Sequence, residues 1–325
     1  MGQPALSPAS FADAMLHVDG WVALAGLVVG FTVGLTGMGG GALMTPILVL
    51  FFKIQPLAAV SSDLVAAFVM KPIGGAVHLR HGTVNRSLVG WLAAGSVPAA
   101  FAGVLVIRSF GDGEAVQNHV KMALGGALLL AVSTMVVRAF FTLRQRSRAL
   151  GGGAEAPAGE RGPLVVRPGA TMAVGALGGL VVGMTSVGSG SLIIVTLLVL
   201  YPQLTAAELV GTDLVQAVPL VGSAALGHVL FGDFHLGLTT SLLAGSIPGV
   251  YVGAKVSALA PALVVRRALA IVLTASALKL LGATNTELIA AVAAAALAGP
   301  LAWRRLRTLH GLPATGPAPR PAYGP

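Results

Sequence analysis

Two aspartates and one lysine lie within apolar stretches, where charged side chains are costly. Of eleven acidic residues, only Asp63 and Asp213 fall well inside apolar runs, and Lys71 follows Asp63 by eight residues. A charge near the centre of a bilayer costs roughly 2.5–3.5 kcal/mol on insertion scales, so such residues usually face a partner or a watery cavity. Proton binding by the carboxylates and anion binding by the ammonium are the chemistry this pattern favours. The structural alternative is that each aspartate caps its own helix or holds a neighbouring break.

Lys71 shares a predicted helix face with Asp63 and with His78, which lies seven residues further along. Its ammonium either binds an anionic substrate, or pairs with Asp63, or extends beside Pro72 toward the headgroups. His78 and His228 end their predicted helices, where they either titrate with pH or close the helix by hydrogen bonding at the membrane interface. The candidate coupling or gating residues are therefore Ser62, Asp63, Thr212, Asp213, His78 and His228.

Two segments rich in glycine interrupt long apolar stretches: TGMGGG at 36–41 and TSVGSG at 185–190. Broken backbone survives in hydrocarbon only where protein or a watery cavity surrounds it. Each break opens a helix, whose free N–H groups and positive dipole end suit an anion, although small residues also serve plain helix packing. The candidate substrate-binding residues are Thr36, Met38, Gly39, Gly40, Gly41, Lys71, Thr185, Ser186, Gly188, Ser189 and Gly190.

The composition indicates a polytopic membrane protein. The 325 residues are 55% hydrophobic and 10% charged, with a mean hydropathy of +0.88, whereas soluble domains carry about 25% charge. The net charge of +9 comes from basic residues bunched beside apolar spans, which indicates the positive-inside pattern rather than a nucleic-acid partner. Without cysteine, and with seven scattered histidines and no HExxH motif, the chain predicts no metal site, no cofactor and no enzymatic activity.

The elements that must position these residues are membrane helices. The apolar stretch 21–52 exceeds the roughly 20 residues of one span and divides at its glycines, as does 170–200. Further helices are predicted at 57–79, 88–107, 120–143, 206–231, 238–260, 265–281 and 288–303. The polar stretch 145–168 is predicted to be a flexible linker, and the basic tail from 304 to be disordered.

An internal duplication relates the two halves. A shift of 150 residues superposes Ser62-Asp63-Leu64 on Thr212-Asp213-Leu214, and His78 on His228. The same shift places Gly95-Ser96-Val97-Pro98 on Gly245-Ser246-Ile247-Pro248. Chance would not preserve one offset across so many polar and turn residues, so we predict two structural repeats.

Charge placement predicts that the repeats are inverted. If each broken segment returns to its own side or crosses twice, every strongly basic loop lies in the cytoplasm when the N-terminus is outside. Inverted repeats with discontinuous helices are a common transporter plan. The predicted fold is an all-α integral membrane protein with two inverted repeats, each a glycine-broken or re-entrant segment plus three transmembrane helices. Its predicted parts are an extracytoplasmic N-terminus (1–20), repeat 1 (21–143), a cytoplasmic linker (144–168), repeat 2 (169–282), an additional transmembrane helix (283–303) and a basic cytoplasmic tail (304–325).

These motifs resemble a known family. The first copy runs through Gly37-Met38-Gly39-Gly40-Gly41 with Pro46, Ala59 to Leu64, His78 and Gly82, and the second through Gly188-Ser189-Gly190, Val210 to Leu214, His228 and Gly232. Both are similar to the repeated signature of the sulfite exporter TauE/SafE transporters, over roughly residues 20 to 282. The resemblance implies a multi-pass permease of the cell (inner) membrane that moves small anions, often sulfite or organosulfonates.

The predicted function is thus secondary transport of a small anion, most simply the export of sulfite or an organosulfonate. A passive anion channel and a membrane scaffold without transport are the alternatives. The predicted partners are the anion and the lipid bilayer, with a coupled proton and a second copy of the chain as further candidates and no nucleic acid. The orientation has the N-terminus outside and the C-terminus in the cytoplasm.

Overall fold

The computed structural model describes residues 18–36, 41–111, 113–150, 164–256 and 262–309, and this part of the chain is helical throughout. Its eleven helices are α1 Gly20–Thr36, α2 Gly41–Leu50, α3 Pro56–Arg80, α4 Arg86–Ser109, α5 Glu114–Leu150, α6 Pro168–Thr185, α7 Leu192–Leu200, α8 Ala206–Phe231, α9 Leu236–Val256, α10 Ala262–Leu280 and α11 Asn285–Leu309. The all-helical prediction is confirmed for these residues.

Six of the described helices are long and apolar enough to cross a membrane: α4, α5, α6, α8, α9 and α11. The predicted spans at α3 and α10 are also helical, with 25 and 19 residues.

The second apolar stretch is interrupted where the glycines predicted a break, and it divides there into α6 and α7. The described residues of the first stretch form α1 and α2. With ten and nine residues, α2 and α7 are each too short to cross a bilayer, which takes about 20 residues. Gly37, Met38, Gly39 and Gly40 lie outside the described residues.

Two predicted boundaries differ from the structure. α5 continues to Leu150, into the predicted linker, and α11 continues to Leu309, into the predicted tail. Loss of hydrophobicity sets the predicted start of the linker and of the tail, but the first residues of both are rich in arginine and include leucine, which are good helix formers. A helix that leaves the apolar region therefore continues through them. Residues 151–163 and 310–325 lie outside the described part.

The helices of the two halves interleave. The most extensive contacts join α1 to α9 and α4 to α6, followed by α4 with α8 and α3 with α8, while α5 packs on α10. Under the 150-residue shift, α1 corresponds to α6 and α4 to α9, so the two most extensive contacts are equivalent. Each broken segment is thus held by the other half of the chain.

Glycines make these two contacts close enough for backbones to touch. A Cβ on Gly249 of α9 would lie 2.8 Å from the amide nitrogen of Phe31 in α1, and a Cβ on Gly179 of α6 would lie 2.7 Å from the Cα of Ser96 in α4. Small residues permit this approach between membrane helices. The packing interpretation therefore holds for the glycines that meet a backbone across these two contacts: Gly26, Gly30, Gly95, Gly103, Gly175, Gly179, Gly183, Gly245, Gly249 and Gly253.

A substitution at Gly179 tests how much the contact between α6 and α4 contributes to stability. Gly179→Ala is expected to destabilise the protein by about 1–3 kcal/mol, because the added methyl must displace the backbone of Ser96. The measurement is the thermal unfolding midpoint of the purified protein in detergent. The matched control is Gly126→Ala in α5, where nothing lies within 4 Å of the added Cβ. Equal midpoints for the two variants would contradict the backbone-contact assignment.

Candidate functional site

The two breaks meet inside the protein. Gly41, the first residue of α2, is buried against Ser186, which ends α6, and a Cβ at position 41 would overlap the Ser186 carbonyl oxygen. Ser186 has a φ of 60°, the left-handed conformation that residues other than glycine rarely adopt. The junction thus joins the start of one short helix to the end of the opposite broken helix.

Asp63 lies at this junction. Its side chain is fully buried on α3, and its Oδ2 accepts hydrogen bonds from Thr45 Oγ1 of α2 at 2.8 Å and from Ser186 Oγ at 2.7 Å. The carboxylate therefore ties the two broken segments together and does not cap its own helix. Asp63 Oδ1 and the neighbouring Ser62 Oγ are buried without a hydrogen-bond partner among the described residues.

Asp213 has different surroundings from Asp63, although the duplication makes them equivalent. Its Oδ1 accepts a long hydrogen bond of 3.4 Å from Gln216 Nε2, one turn along α8, and Gln216 Oε1 accepts from Ser96 Oγ of α4 at 3.2 Å. Thr212 Oγ1 accepts from the backbone N–H of Asn85, the residue that caps the N-terminus of α4. Asp213 thus lies in a polar contact between α8 and α4 rather than at the breaks.

Lys71 lines a cavity beside the junction. Its Nζ donates to Ser189 Oγ of the second break at 2.5 Å, and no described carboxylate lies within ion-pairing distance of it. The cavity of about 20 Å³ is lined by Gly41, Ala42, Ala67, Lys71, Ala131, Ser186, Gly188, Ser189, Gly190, Ser191 and Val221. Direct pairing with Asp63 is therefore not observed, and Lys71 faces the interior rather than the headgroups.

Residues of the second break line this cavity. The amides of Ser191 and Leu192 both donate to the carbonyl of Gly188, which bends the chain at a φ of 119° that requires glycine. The amides of Ser189 and Gly190 make no hydrogen bond to the described residues. Backbone amides without a partner among the described residues, beside an ammonium, suit an anion.

The cavity is small. A volume of about 20 Å³ holds about one water molecule, so binding of a larger anion requires the lining segments to separate. Among the described residues, the two segments touch at the contact between Gly41 and Ser186.

His228 is a buried link between three helices. From α8, its Nε2 donates to the Gly183 carbonyl of α6 at 2.8 Å, and its Nδ1 lies 2.8 Å from Ser61 Oγ of α3. Gly183 is in the last turn of α6, whose carbonyls have no intrahelical partner, so His228 caps the broken helix. The side chain of His228 is fully buried, and its hydrogen bond to Gly183 closes α6 rather than its own helix. His78 instead bonds Thr83 Oγ1 at 2.9 Å and closes α3.

Loss of the His228 imidazole is expected to loosen the second break. His228→Ala removes the donor to Gly183 and should lower stability by about 1–3 kcal/mol, the cost of unpaired buried polar groups. His228→Gln, which retains a donor, should recover part of this loss. Thermal unfolding in detergent measures both, with the exposed His119→Ala as control. A midpoint for His228→Ala equal to that of the control would contradict the capping role.

The other predicted site residues form no hydrogen bond with the side chain of Asp63 or of Lys71 in the described part of the chain. Thr185 Oγ1 donates to the Val181 carbonyl at 2.6 Å and accepts from the Val187 amide at 3.2 Å, so it stabilises the break itself. Thr36 ends α1, while Met38, Gly39 and Gly40 lie outside the described residues. Sequence reasoning did not single out Thr45, Ser61 or Gln216; a polar side chain within an apolar helix was the available signal. In the described part of the chain, no three His, Asp or Glu residues cluster as metal ligands would.

Comparison with known proteins places this arrangement among membrane transporters. The family model described as sulfite exporter TauE/SafE matches residues 22–280, which ends with α10 and leaves out α11. The probable membrane transporter protein YjnA of Bacillus subtilis is 37% identical over 237 residues, covering 73% of this chain and 89% of the relative. The probable membrane transporter protein YdhB of the same organism is 24% identical, covering 74% of this chain and 91% of the relative. No solved structure matches the chain.

Proposed function

The chain belongs to the sulfite exporter TauE/SafE family, and from this membership we propose that it is a secondary transporter of a small anion. Sulfite or an organosulfonate is the proposed substrate, and export is the proposed direction. The observation that carries the proposal is the Lys71 ammonium, which lines an interior cavity between the breaks with no described carboxylate in ion-pairing distance. Asp63 and Asp213 interact with Lys71 electrostatically without pairing with it directly, and an intramembrane cation that lacks a direct ion pair is expected to bind an anion.

The proposed architecture is a pair of inverted repeats. The equivalent contacts of α1 with α9 and of α6 with α4 support a pseudo-twofold relation between the halves. The basic loops support an N-terminus outside the cell and a cytoplasmic C-terminus. In such transporters the substrate site lies between discontinuous helices near the midplane.

The proposed anion site combines one cation with neutral donors. Lys71 Nζ supplies the charge, Ser186 and Ser189 supply hydroxyls, and the amides of Ser189 and Gly190 supply N–H groups. An anion that replaces the Ser189 hydroxyl as partner of Lys71 would gain a charge-assisted hydrogen bond, which is stronger than a neutral one.

The proposed coupling site is the pair of buried carboxylates. Asp63 Oδ1 has no described partner, so it is free to take up a proton, and Asp63 Oδ2 holds Thr45 and Ser186 at the junction. Protonation of Asp63 would remove a negative charge beside the anion site. It would also change the hydrogen bonds of Asp63 with Thr45 and Ser186 in the two broken segments. Asp213 is the corresponding candidate in the other half.

Flux in proteoliposomes tests the proposal. Vesicles with purified protein and an imposed proton gradient should accumulate sulfite above its external concentration, because a secondary transporter couples the two flows. A channel of the same architecture would equilibrate sulfite without concentrating it. Absence of flux for sulfite and for all tested sulfonates would leave the scaffold alternative and overturn the proposal.

A further inference from the structure

The two halves contribute unequal side chains to one cavity. Lys71 of α3 and Val221 of α8 are equivalent under the 150-residue shift, and both line the cavity at the breaks. The duplication thus contributes a cation from one half and an apolar side chain from the other half to the same cavity. Val221 is buried, with 1% of its surface exposed.

The other lining residues add no charge. Ala42, Ala67 and Ala131 are apolar, and the residues of the second break are serines and glycines. Among the described lining residues, Lys71 is the only charged one. Nearby, Asp63 contacts the lining residue Ser186 at 2.7 Å, and both Asp63 and Asp213 interact electrostatically with Lys71.

This charge balance limits the ligand. In the Born description, the cost of transferring an ion from water rises with the square of its charge, so a second negative charge costs far more than the first. The Lys71 ammonium can compensate one negative charge on a bound anion, and the buried carboxylates of Asp63 and Asp213 repel a second negative charge. We propose that the site selects monoanions over dianions, with Lys71 and Val221 as the residues that determine this selectivity.

The inference rests on the proposed anion transport, and two probes of fixed charge test it separately. Methanesulfonate and sulfate are both tetrahedral at sulfur and share three oxygens. The fourth substituent is a methyl group in methanesulfonate, a monoanion, and a charged oxygen in sulfate, a dianion. Uptake of radiolabelled methanesulfonate into proteoliposomes is expected to exceed that of sulfate by roughly tenfold or more at equal concentration.

A charge introduced at position 221 should change this ratio. Val221→Lys adds a second ammonium to the cavity that Lys71 lines and is expected to raise the sulfate-to-methanesulfonate uptake ratio by about tenfold. Val221→Met, of similar length without charge, is the matched control and should leave the ratio as in the parent. A ratio that is equal in the lysine and methionine variants overturns the assignment of Val221.

Uptake of the two probes by the parent protein tests the proposal even if Val221→Lys fails to fold. Comparable uptake of sulfate and methanesulfonate by the parent would overturn the selectivity inference and leave anion transport standing. No uptake of either probe, or of sulfite, would instead overturn the proposed function.

Discussion

Lys71→Met is expected to reduce sulfite flux about 10- to 100-fold, the loss of one charge-assisted contact worth roughly 1.5–3 kcal/mol. The ammonium is the only charge among the described residues that line the cavity, and a thioether offers no comparable interaction with an anion. Initial uptake into proteoliposomes measures the effect. The control is Lys255→Met in α9, an exposed lysine over the ring of Tyr251. Flux equal to that of the parent would contradict the role of Lys71.

Stability separates a binding role from a structural one at this position. No described carboxylate forms an ion pair with Lys71, and replacing buried charge by an apolar side chain of similar volume is often neutral or stabilising. Lys71→Met should therefore keep or raise the thermal unfolding midpoint while flux falls. A fall in both would indicate that Lys71 supports the fold.

Asp63→Asn is expected to abolish proton-driven accumulation of the anion while exchange of labelled for unlabelled anion continues. The amide retains an oxygen that can accept from Thr45 and Ser186, but it cannot take up the proton that the proposed coupling requires. The measurement compares uptake under a proton gradient with counterflow without one. Accumulation by Asp63→Asn at the level of the parent would contradict the coupling role.

Asp63→Ala should behave differently from Asp63→Asn. The alanine leaves the buried hydroxyls of Thr45 and Ser186 without their acceptor, at a cost of about 1–3 kcal/mol for each unpaired group. Both transport modes and the thermal unfolding midpoint should therefore fall. Glu114→Gln, at an exposed position that begins α5, removes a carboxylate without these contacts and serves as control.

The sequence by itself determined the elements and their interruptions. Hydrophobic runs longer than one span, divided by glycines, predicted α1, α2, α6 and α7, because apolar length and glycine content act locally. The constant offset of 150 residues predicted the duplication. The rare charges within apolar runs identified Asp63, Lys71 and Asp213, since an intramembrane charge requires a specific environment.

The tertiary structure alone decided which groups meet. Asp63 with Ser186, Lys71 with Ser189, and Ser61 with His228 are each more than 100 positions apart in the chain. Helical periodicity specifies which residues share a face, but it does not specify which helix that face contacts. For the same reason, the sequence does not distinguish the glycines of α6, which pack against the backbone of α4, from those of the second break, which line the cavity.

Residues that are equivalent under the duplication also have different surroundings in the folded protein. The sequence treats Asp63 and Asp213 as equivalent, yet Asp63 binds both broken segments while Asp213 bonds Gln216 within its own helix. Residue 216 is glutamine where the first half has Ala66, and residue 221 is valine where it has Lys71. Such differences alter the chemistry only once the helices are packed, because it is packing that brings Lys71 and Val221 to one cavity.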